Sequence, residues 1–168
     1  MSKVYLSIGS NKGNRYRLIN EAVDLIEKKI GKILVQSSFY ESKSWGFKSN
    51  NFYNICLIVN SIKSPKSILS SINEIEIKMG REKSSALKSF EYSDRTIDID
   101  ILFYDDLVFN SDKLNIPHPK IELRNFVLIP LQEIEPNYIH PVLKKSIENL
   151  VLESYDNELP KILKNLSF

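Results

Sequence analysis

The order in which apolar strands and amphipathic helices alternate constrains the fold of this chain more than any other feature. Strands are predicted at 3–10, 32–42, 51–62 and 95–106. Helices are predicted where apolar residues recur every three or four positions, at 14–31 and 64–80. The order β-α-β-β-α-β is that of the split βαβ, or ferredoxin-like, architecture. We therefore expect an α+β fold in which helices pack against an antiparallel-rich sheet.

Local signals mark the helix starts and predict further elements beyond the last strand. Asn14 can cap the first helix, and Ser64 can cap the second. A short helix that stops near Pro130 and a longer amphipathic helix within 140–157 complete the predicted elements. The longer helix would bury one stripe of side chains, made of Leu143, Ile147, Leu150 and Val151.

Length and composition are those of an ordinary globular chain, and we expect a single domain over residues 1–168. Hydrophobic residues make up 42% of the chain, and the net charge is +2, from 23 basic and 21 acidic side chains. So balanced a charge disfavours nucleic-acid and membrane partners. The single cysteine, Cys56, lies in an apolar run and cannot form an internal disulfide. With no apolar leader and no run of ~18 apolar residues, we expect a cytoplasmic protein, by default a monomer.

The segment RTIDIDILFYDD, residues 95–106, places two carboxylates on one side of a predicted strand. Successive strand residues face opposite sides, so the alternate apolar residues from Ile97 to Phe103 form one face, and Asp98 and Asp100 share the other. The two carboxylates are roughly 7 Å apart along the strand. Their repulsion is about 2.4 kcal/mol at an effective dielectric of 20. In a cleft, a hard cation such as Mg²⁺ would offset this repulsion. The alternative is a solvated face of the strand, where the repulsion would matter little.

Six short motifs follow one another in a fixed order. They are IGSN (8–11), FYN (52–54), GRE (80–82), DRTIDIDIL (94–102), IPHP (116–119) and RNFVLIPL (124–131). In this order the chain resembles the 6-hydroxymethyl-7,8-dihydropterin pyrophosphokinase family of folate biosynthesis, over about residues 4–141. The resemblance implies an enzyme that transfers diphosphate from ATP, its co-substrate, to the hydroxymethyl group of the pterin and releases AMP. It also implies that Asp98 and Asp100 hold two Mg²⁺ ions.

The resemblance assigns cationic side chains to the phosphates. Arg81, on a loop over 81–94 that closes on ATP, and Arg95, which contacts phosphates and pterin, would be the catalytic residues. His118 and Arg124 would contact the triphosphate. Purely structural roles are the alternatives: Arg81 would oppose a helix dipole, Arg95 would pair with a nearby acid, and His118 would be a structural histidine. The identity of any general base stays open.

Two positions in the 81–94 loop depart from the better-known members of the family. Lys83, assigned to ATP binding, stands where a second arginine is usual, and Tyr92 stands where a tryptophan is usual. The altered loop leaves open an inactive descendant that only binds nucleotide. A nucleic-acid-binding module on a ferredoxin-like sheet is a further alternative. The chain lacks the glycine–aromatic pattern of such modules, and the paired aspartates would repel phosphate without a metal.

The pterin would contact aromatic and amide side chains. Tyr53 and Phe126 are implied to stack on its two faces, and Asn54 can hydrogen-bond its amide-like edge. The loop over 42–46 contributes Ser42 and Trp45 to the same pocket.

Adenine recognition is implied to use backbone atoms, which here belong to Ile101, Lys113 and Asn115. Asn73 and Glu76, on the second predicted helix, match positions near the nucleotide. The alternative for both is a solvated helix residue.

Overall fold

A computed structural model describes residues 1–44, 49–81 and 94–164. The strands are β1 (Ser2–Ser10), β2 (Lys32–Gln36), β3 (Tyr40–Ser42), β4 (Phe52–Ser61), β5 (Asp98–Tyr104), β6 (Phe109–Asn110), β7 (Asn115–Ile116) and β8 (Lys161–Ile162). The helices are α1 (Arg15–Lys29), α2 (Pro65–Lys78), α3 (Asn125–Ile134) and α4 (Ile147–Leu152), with a 3-10 turn over Ile121–Leu123. Among the helices so described, none is long and apolar enough to cross a membrane.

The main sheet has the strand order β5-β1-β4-β3-β8, and β2 pairs with β4 beside this path. All pairs in it are antiparallel. The second predicted strand is divided into β2 and β3, so the four predicted strands lie in the order 4-1-3-2. This is the ferredoxin-like order that the sequence predicts, and it leaves β5 at one edge of the sheet.

Helices cover both faces of the sheet. The first face packs against α1 and α2, and its core contains Val4, Leu6, Ile8, Ile55 and Leu57. The second face packs against α3 and α4, and its core contains Tyr5, Cys56, Ile58, Leu128 and Ile147. Residues of odd number on β4 therefore face α1 and α2, while residues of even number face α3 and α4.

A bulge in β5 moves Phe103 away from the face predicted for it. Tyr5 pairs with Phe103 and Leu6 pairs with Ile101, so Leu102 is an extra residue on β5. Phe103 consequently packs on the second face, where its ring meets that of Tyr5 edge-on with 5.7 Å between centroids. The prediction that Phe103 shares a face with Ile97 is wrong, because one extra residue reverses the alternation beyond it.

The predicted helix starts at Asn14 and Ser64 are confirmed, since both side chains accept a hydrogen bond from the first turn. The predicted stop near Pro130 is wrong, because α3 continues to Ile134. A proline inside a helix removes one backbone hydrogen bond. Buried neighbours such as Leu128 and Leu131 hold this helix on the sheet nevertheless.

The helix predicted within 140–157 is reduced to α4, which begins after the capping residue Ser146. Upstream, the chain turns at His140, whose Nδ1 accepts hydrogen bonds from the backbone N–H of Val142 and Leu143 at 3.2 and 3.1 Å. These bonds hold the segment in a turn, and the side chain of Leu143 is exposed.

Short strands account for the other differences between prediction and structure. The predicted strand over 32–42 breaks after Gln36. The backbone N–H of Ser37 still donates to the carbonyl of Cys56 at 2.9 Å, but Ser37 Oγ accepts the N–H of Cys56 at 2.9 Å, and Ser38 donates to Glu133 of α3. The β6–β7 hairpin and β8 have two residues per strand, which is too short for an apolar period to appear.

Candidate active site

Two carboxylates on β5 form the centre of the candidate site. Asp98 pairs across the ladder with Gly9, and Asp100 pairs with Ser7, so both project from the α3 face of the sheet. Their side chains are 25% and 36% exposed, so both remain accessible to a ligand. Burial, and secondarily the charge of Asp98, raises the pKa of Asp100 to about 7. The environment of Asp100 therefore disfavours its charged form.

Three arginines surround the carboxylates. Arg95 Nη1 lies 2.6 Å from Asp98 Oδ1, and Arg81 Nη1 lies 3.5 Å from the same oxygen. Arg124 Nη1 lies 3.6 Å from Asp100 Oδ2. The predicted strand begins at Arg95, whereas β5 begins at Asp98, so Arg95 precedes the strand. Both residues predicted to be catalytic thus lie beside one metal candidate, and Arg124 lies beside the other.

Glu76, on α2, contacts this cluster. Its carboxylate is buried, accepts the N–H of Ile99 at 3.0 Å through Oε1, and pairs with Arg81 through Oε2. Burial is the main cause that raises the pKa of Glu76. Glu76 is therefore not a solvated helix residue, and both its oxygens contact protein groups. Asn73, predicted beside it, is exposed on α2.

The end of β1 fixes the backbone on which Arg95 stands. Asn11 is buried, its Oδ1 accepts the N–H of Arg95 at 2.7 Å, and its N–H donates to the carbonyl of Arg95 at 3.2 Å. Its Nδ2 also donates to Asp94 at 2.8 Å. Asn11 thus supports a catalytic candidate.

His118 approaches the cluster from the loop after β7. Its N–H donates to the carbonyl of Leu102 at 3.0 Å, and its Nε2 lies 3.9 Å from Asp100 Oδ2. Burial first, and then Arg124, lowers the pKa of His118 to about 4, so the ring is neutral at neutral pH. Because Nδ1 accepts the N–H of Lys120 at 3.3 Å, the ring proton is on Nε2. His118 therefore offers the site a neutral hydrogen-bond donor.

A cavity of about 260 Å³ lies beside Asp100 at the free edge of β5. Its lining includes Ile101, Lys113 and Asn115, the three residues predicted around adenine. Leu69 and Leu114 supply apolar walls, and Asp100 and His118 also line it. Asn73 does not line it. The cavity thus combines apolar walls with a few polar groups beside Asp100.

On the other side of the cluster, β1 has a glycine on the same face of the sheet. Gly9 lies between Asp98 and Asn54 on neighbouring strands. A Cβ atom on Gly9 would come within 3.1 Å of Asn54 Oδ1 and 3.5 Å of Phe52 Cδ1. Asn54 is buried, and its Nδ2 donates to Ser42 Oγ at 2.9 Å. The absence of a side chain at Gly9 therefore lets the Asn54 amide and the Phe52 ring pack close to the backbone of β1.

The structure does not bring Tyr53 together with Phe126. Tyr53 lies on the odd-numbered face of β4, where it packs against the α1-side core. The guanidinium of Arg15 covers its ring at 3.7 Å from the centroid. Phe126 packs on the opposite face, with its ring 5.7 Å from the guanidinium carbon of Arg124. The aromatic residue of β4 on the Phe126 face is Phe52.

Comparison with known proteins identifies the family. The model of the 7,8-dihydro-6-hydroxymethylpterin-pyrophosphokinase (HPPK) family matches residues 5–136. The chain belongs to this family. The 2-amino-4-hydroxy-6-hydroxymethyldihydropteridine pyrophosphokinase of Aquifex aeolicus is 40% identical over 157 residues, which are 92% of this chain and 93% of that protein. The Porphyromonas gingivalis protein of the same name is 38% identical over 143 residues, 84% and 95% of the two chains.

A solved structure agrees with the fold. The chain superposes on Plasmodium falciparum HPPK-DHPS with a TM-score of 0.73 at 21% identity, covering 90% of this chain and 44% of that longer one. The predicted family, the α+β ferredoxin-like fold and the enzyme class, an HPPK, are confirmed. The nucleic-acid-binding alternative is set aside on the same basis.

Some predicted HPPK site residues lie outside the described residues, and others were missed. Trp45, Lys83 and Tyr92 fall outside the described ranges, as does most of the 81–94 loop. Phe52 was missed because FYN contains two adjacent aromatic residues, and β4 is apolar on both faces. Asn11 was missed because its partners, Asp94 and Arg95, are distant in sequence.

Proposed function

We propose that this site carries out the reaction of the HPPK family, in which the β,γ-diphosphoryl group of ATP moves to the hydroxymethyl oxygen of 6-hydroxymethyl-7,8-dihydropterin and AMP leaves. The observation that carries the proposal is the position of the carboxylate pair. It stands between the cavity at the β5 edge, which is large enough for a nucleobase, and the surface formed by Gly9, Asn54 and Phe52. A group transferred from a ligand on one side to a ligand on the other would pass this pair.

Asp98 and Asp100 fit a magnesium site. They are two hard oxygen donors on one face, and the pKa of Asp100 is raised in part because Asp98 lies beside it. Among residues 1–44, 49–81 and 94–164, no cluster of three or more acidic, histidine or cysteine ligands occurs. Mg²⁺ typically takes one or two carboxylates and fills its other positions with water and substrate phosphate. We propose two such ions, held between Asp98, Asp100 and the triphosphate.

Charge balance supports the same assignment. Arg81, Arg95 and Arg124 are already matched by three carboxylates, those of Glu76, Asp98 and Asp100. The triphosphate would therefore add uncompensated negative charge to the cluster. When bound, Mg²⁺ would supply the missing charge and acidify the attacking hydroxyl group.

The protein's own groups position the phosphates. Arg81 and Arg95 are close enough to Asp98 to move from the carboxylate to a phosphate oxygen, and planar guanidinium groups bind phosphate in a bidentate manner. Arg124 and the Nε2–H of His118 would donate hydrogen bonds to the end of the triphosphate that lies nearest Asp100. Transfer of this kind depends on in-line positioning and charge neutralisation, so it requires little further chemistry from the protein.

The pterin side is proposed as Phe52, Asn54 and Phe126 around Gly9. Phe52 replaces Tyr53 as the stacking partner, because Arg15 covers Tyr53 on the opposite face. Ser42 holds the amide of Asn54, which fixes which atoms it presents to the pterin edge.

Replacement of Asp98 by asparagine tests the metal assignment. Asp98→Asn keeps the side-chain shape but removes the charge, so AMP formation should fall by about a hundredfold or more. Far-ultraviolet circular dichroism should remain that of the wild type. Asp24→Asn, an equal change of charge on an exposed position of α1, is the matched control and should keep full activity. Full activity of Asp98→Asn would overturn the assignment.

A further inference from the structure

The chain after α4 returns to the active site, although it lies beyond the residues that the family model matches. Asp156 Oδ2 accepts the backbone N–H of Asn125 at 2.9 Å. The carbonyl of Asp156 accepts Asn125 Nδ2 at 2.6 Å. Two hydrogen bonds thus join residue 156 to the first residue of α3.

These bonds satisfy a helix start that lacks its own cap. α3 begins at Asn125, and the preceding residue, Arg124, makes no side-chain capping bond. The first N–H groups of a helix have no partner within the helix and carry partial positive charge. The carboxylate of Asp156 therefore acts as the cap of α3 from a distant part of the chain.

The capped residue stands between two side chains of the proposed site. Arg124 lies 3.6 Å from Asp100, on the phosphate side, and Phe126 belongs to the pterin side. Fixing the backbone of Asn125 fixes the direction in which both neighbours leave the helix. A shift of this turn would move a phosphate contact and a pterin contact together.

Asp156 is itself held in place. Its Oδ1 accepts the N–H of Glu158 at 3.0 Å, and its own N–H donates to Ser154 Oγ at 3.2 Å. Further on, β8 pairs with β3. The segment that carries the capping carboxylate is therefore joined to the edge of the sheet.

The segment after α4 makes a second contact, an ion pair, which contributes less to holding it in place. Lys43 and Glu158 form an ion pair at 3.3 Å, but their side chains are 77% and 37% exposed. Exposed pairs of this kind contribute little. The capping bond of Asp156 is therefore the contact that relates this segment to the site.

We propose that Asp156 is a positioning residue, which holds Arg124 and Phe126 at the substrates by capping α3. The inference rests on the proposed function of the site. A positioning residue affects substrate affinity, because it determines the positions of the side chains that contact the substrates. Asp156→Ala should raise the KM for both ATP and the pterin about five- to tenfold and change kcat less than twofold, because a cap is lost but no reacting group is removed.

Two further variants sharpen the experiment. Asp156→Asn keeps an oxygen that can accept the N–H of Asn125, so it should restore most of the affinity, even if Asp156→Ala folds poorly. Glu153→Ala removes an exposed partner of Lys145 in the same segment and should leave both KM values unchanged. A lower melting temperature of Asp156→Ala with unchanged KM values would show a merely structural residue and overturn the proposal.

Calorimetric titration separates this inference from the proposed function. Binding of a non-hydrolysable ATP analogue with Mg²⁺, and then of the pterin, is measured for the wild type and each variant. Weaker binding to Asp156→Ala supports the positioning role, even if the wild type forms no AMP and the proposed reaction fails. Equal binding by both proteins overturns the positioning role, whatever product the wild type forms.

Discussion

At the residue scale, Asp100 is held in an environment that opposes its charge. Its pKa in the folded protein is raised to about 7, chiefly by burial and then by the charge of Asp98. An unfolded aspartate has a pKa of about 3.9. The folded state therefore binds the proton more tightly, and stability falls as the pH rises from about 4 to about 7. Above that range the carboxylate opposes folding to its full extent.

Asp100→Asn should consequently stabilise the metal-free protein while it removes activity. We expect a gain of about 1 kcal/mol at pH 8, since the partly exposed side chain is screened by solvent. This corresponds to a melting temperature about 2–4 °C higher. The gain should vanish near pH 4, where the wild-type side chain is protonated in the folded state. Calorimetric melting at the two pH values, with Asp24→Asn as control, measures it. A lower melting temperature at pH 8 would contradict the assignment.

At the element scale, β4 decides which aromatic residue belongs to the pterin. The strand is apolar on both faces, so alternation of polar and apolar residues cannot show which way Phe52 and Tyr53 point. Pairing with β1 and β3 determines it, because Gly9, Asn54 and Tyr40 are cross-strand partners. The register depends on pairing between strands that are far apart in sequence, so the sequence of β4 alone does not reveal it.

Replacing Phe52 and Tyr53 by alanine, one at a time, tests which of them stacks on the pterin. Phe52→Ala should raise the KM for the pterin about tenfold, because a stacking surface is lost. Tyr53→Ala should leave that KM unchanged and lower stability by about 1 kcal/mol, because Arg15 loses its ring partner. Steady-state kinetics at saturating ATP and thermal melting distinguish the two effects. The reverse pattern, with pterin affinity lost in Tyr53→Ala alone, would restore the prediction made from the sequence.

α3 shows why local signals predicted its end wrongly. A proline normally stops a helix, since it removes an N–H donor and crowds the preceding turn. Here Pro130 lies within a helix whose buried side chains include Val127, Leu128 and Leu131. Tertiary burial outweighs the local penalty, and the sequence contains no sign of the partner surface.

At the scale of the whole molecule, strand order and the central chemistry were accessible from the sequence. The order of strands and helices predicted a ferredoxin-like sheet, and the Asp98–Asp100 spacing predicted two carboxylates on one face. Side chains that join distant segments were not accessible. Glu76 on the backbone of Ile99, Asn11 on Arg95 and Asp156 on Asn125 of α3 each act across more than twenty residues of sequence. A single-domain monomer in the cytoplasm stays a prediction.

Identification of the nucleotide product tests the central claim most directly. The protein is incubated with ATP, Mg²⁺ and 6-hydroxymethyl-7,8-dihydropterin, and the nucleotides are separated by chromatography. We predict AMP in equal amount to the diphosphorylated pterin, with no AMP when the pterin is omitted or Mg²⁺ is chelated. Formation of ADP would contradict diphosphate transfer. Binding of ATP without turnover would contradict the claim that Asp98, Asp100 and the surrounding arginines form a complete catalytic site.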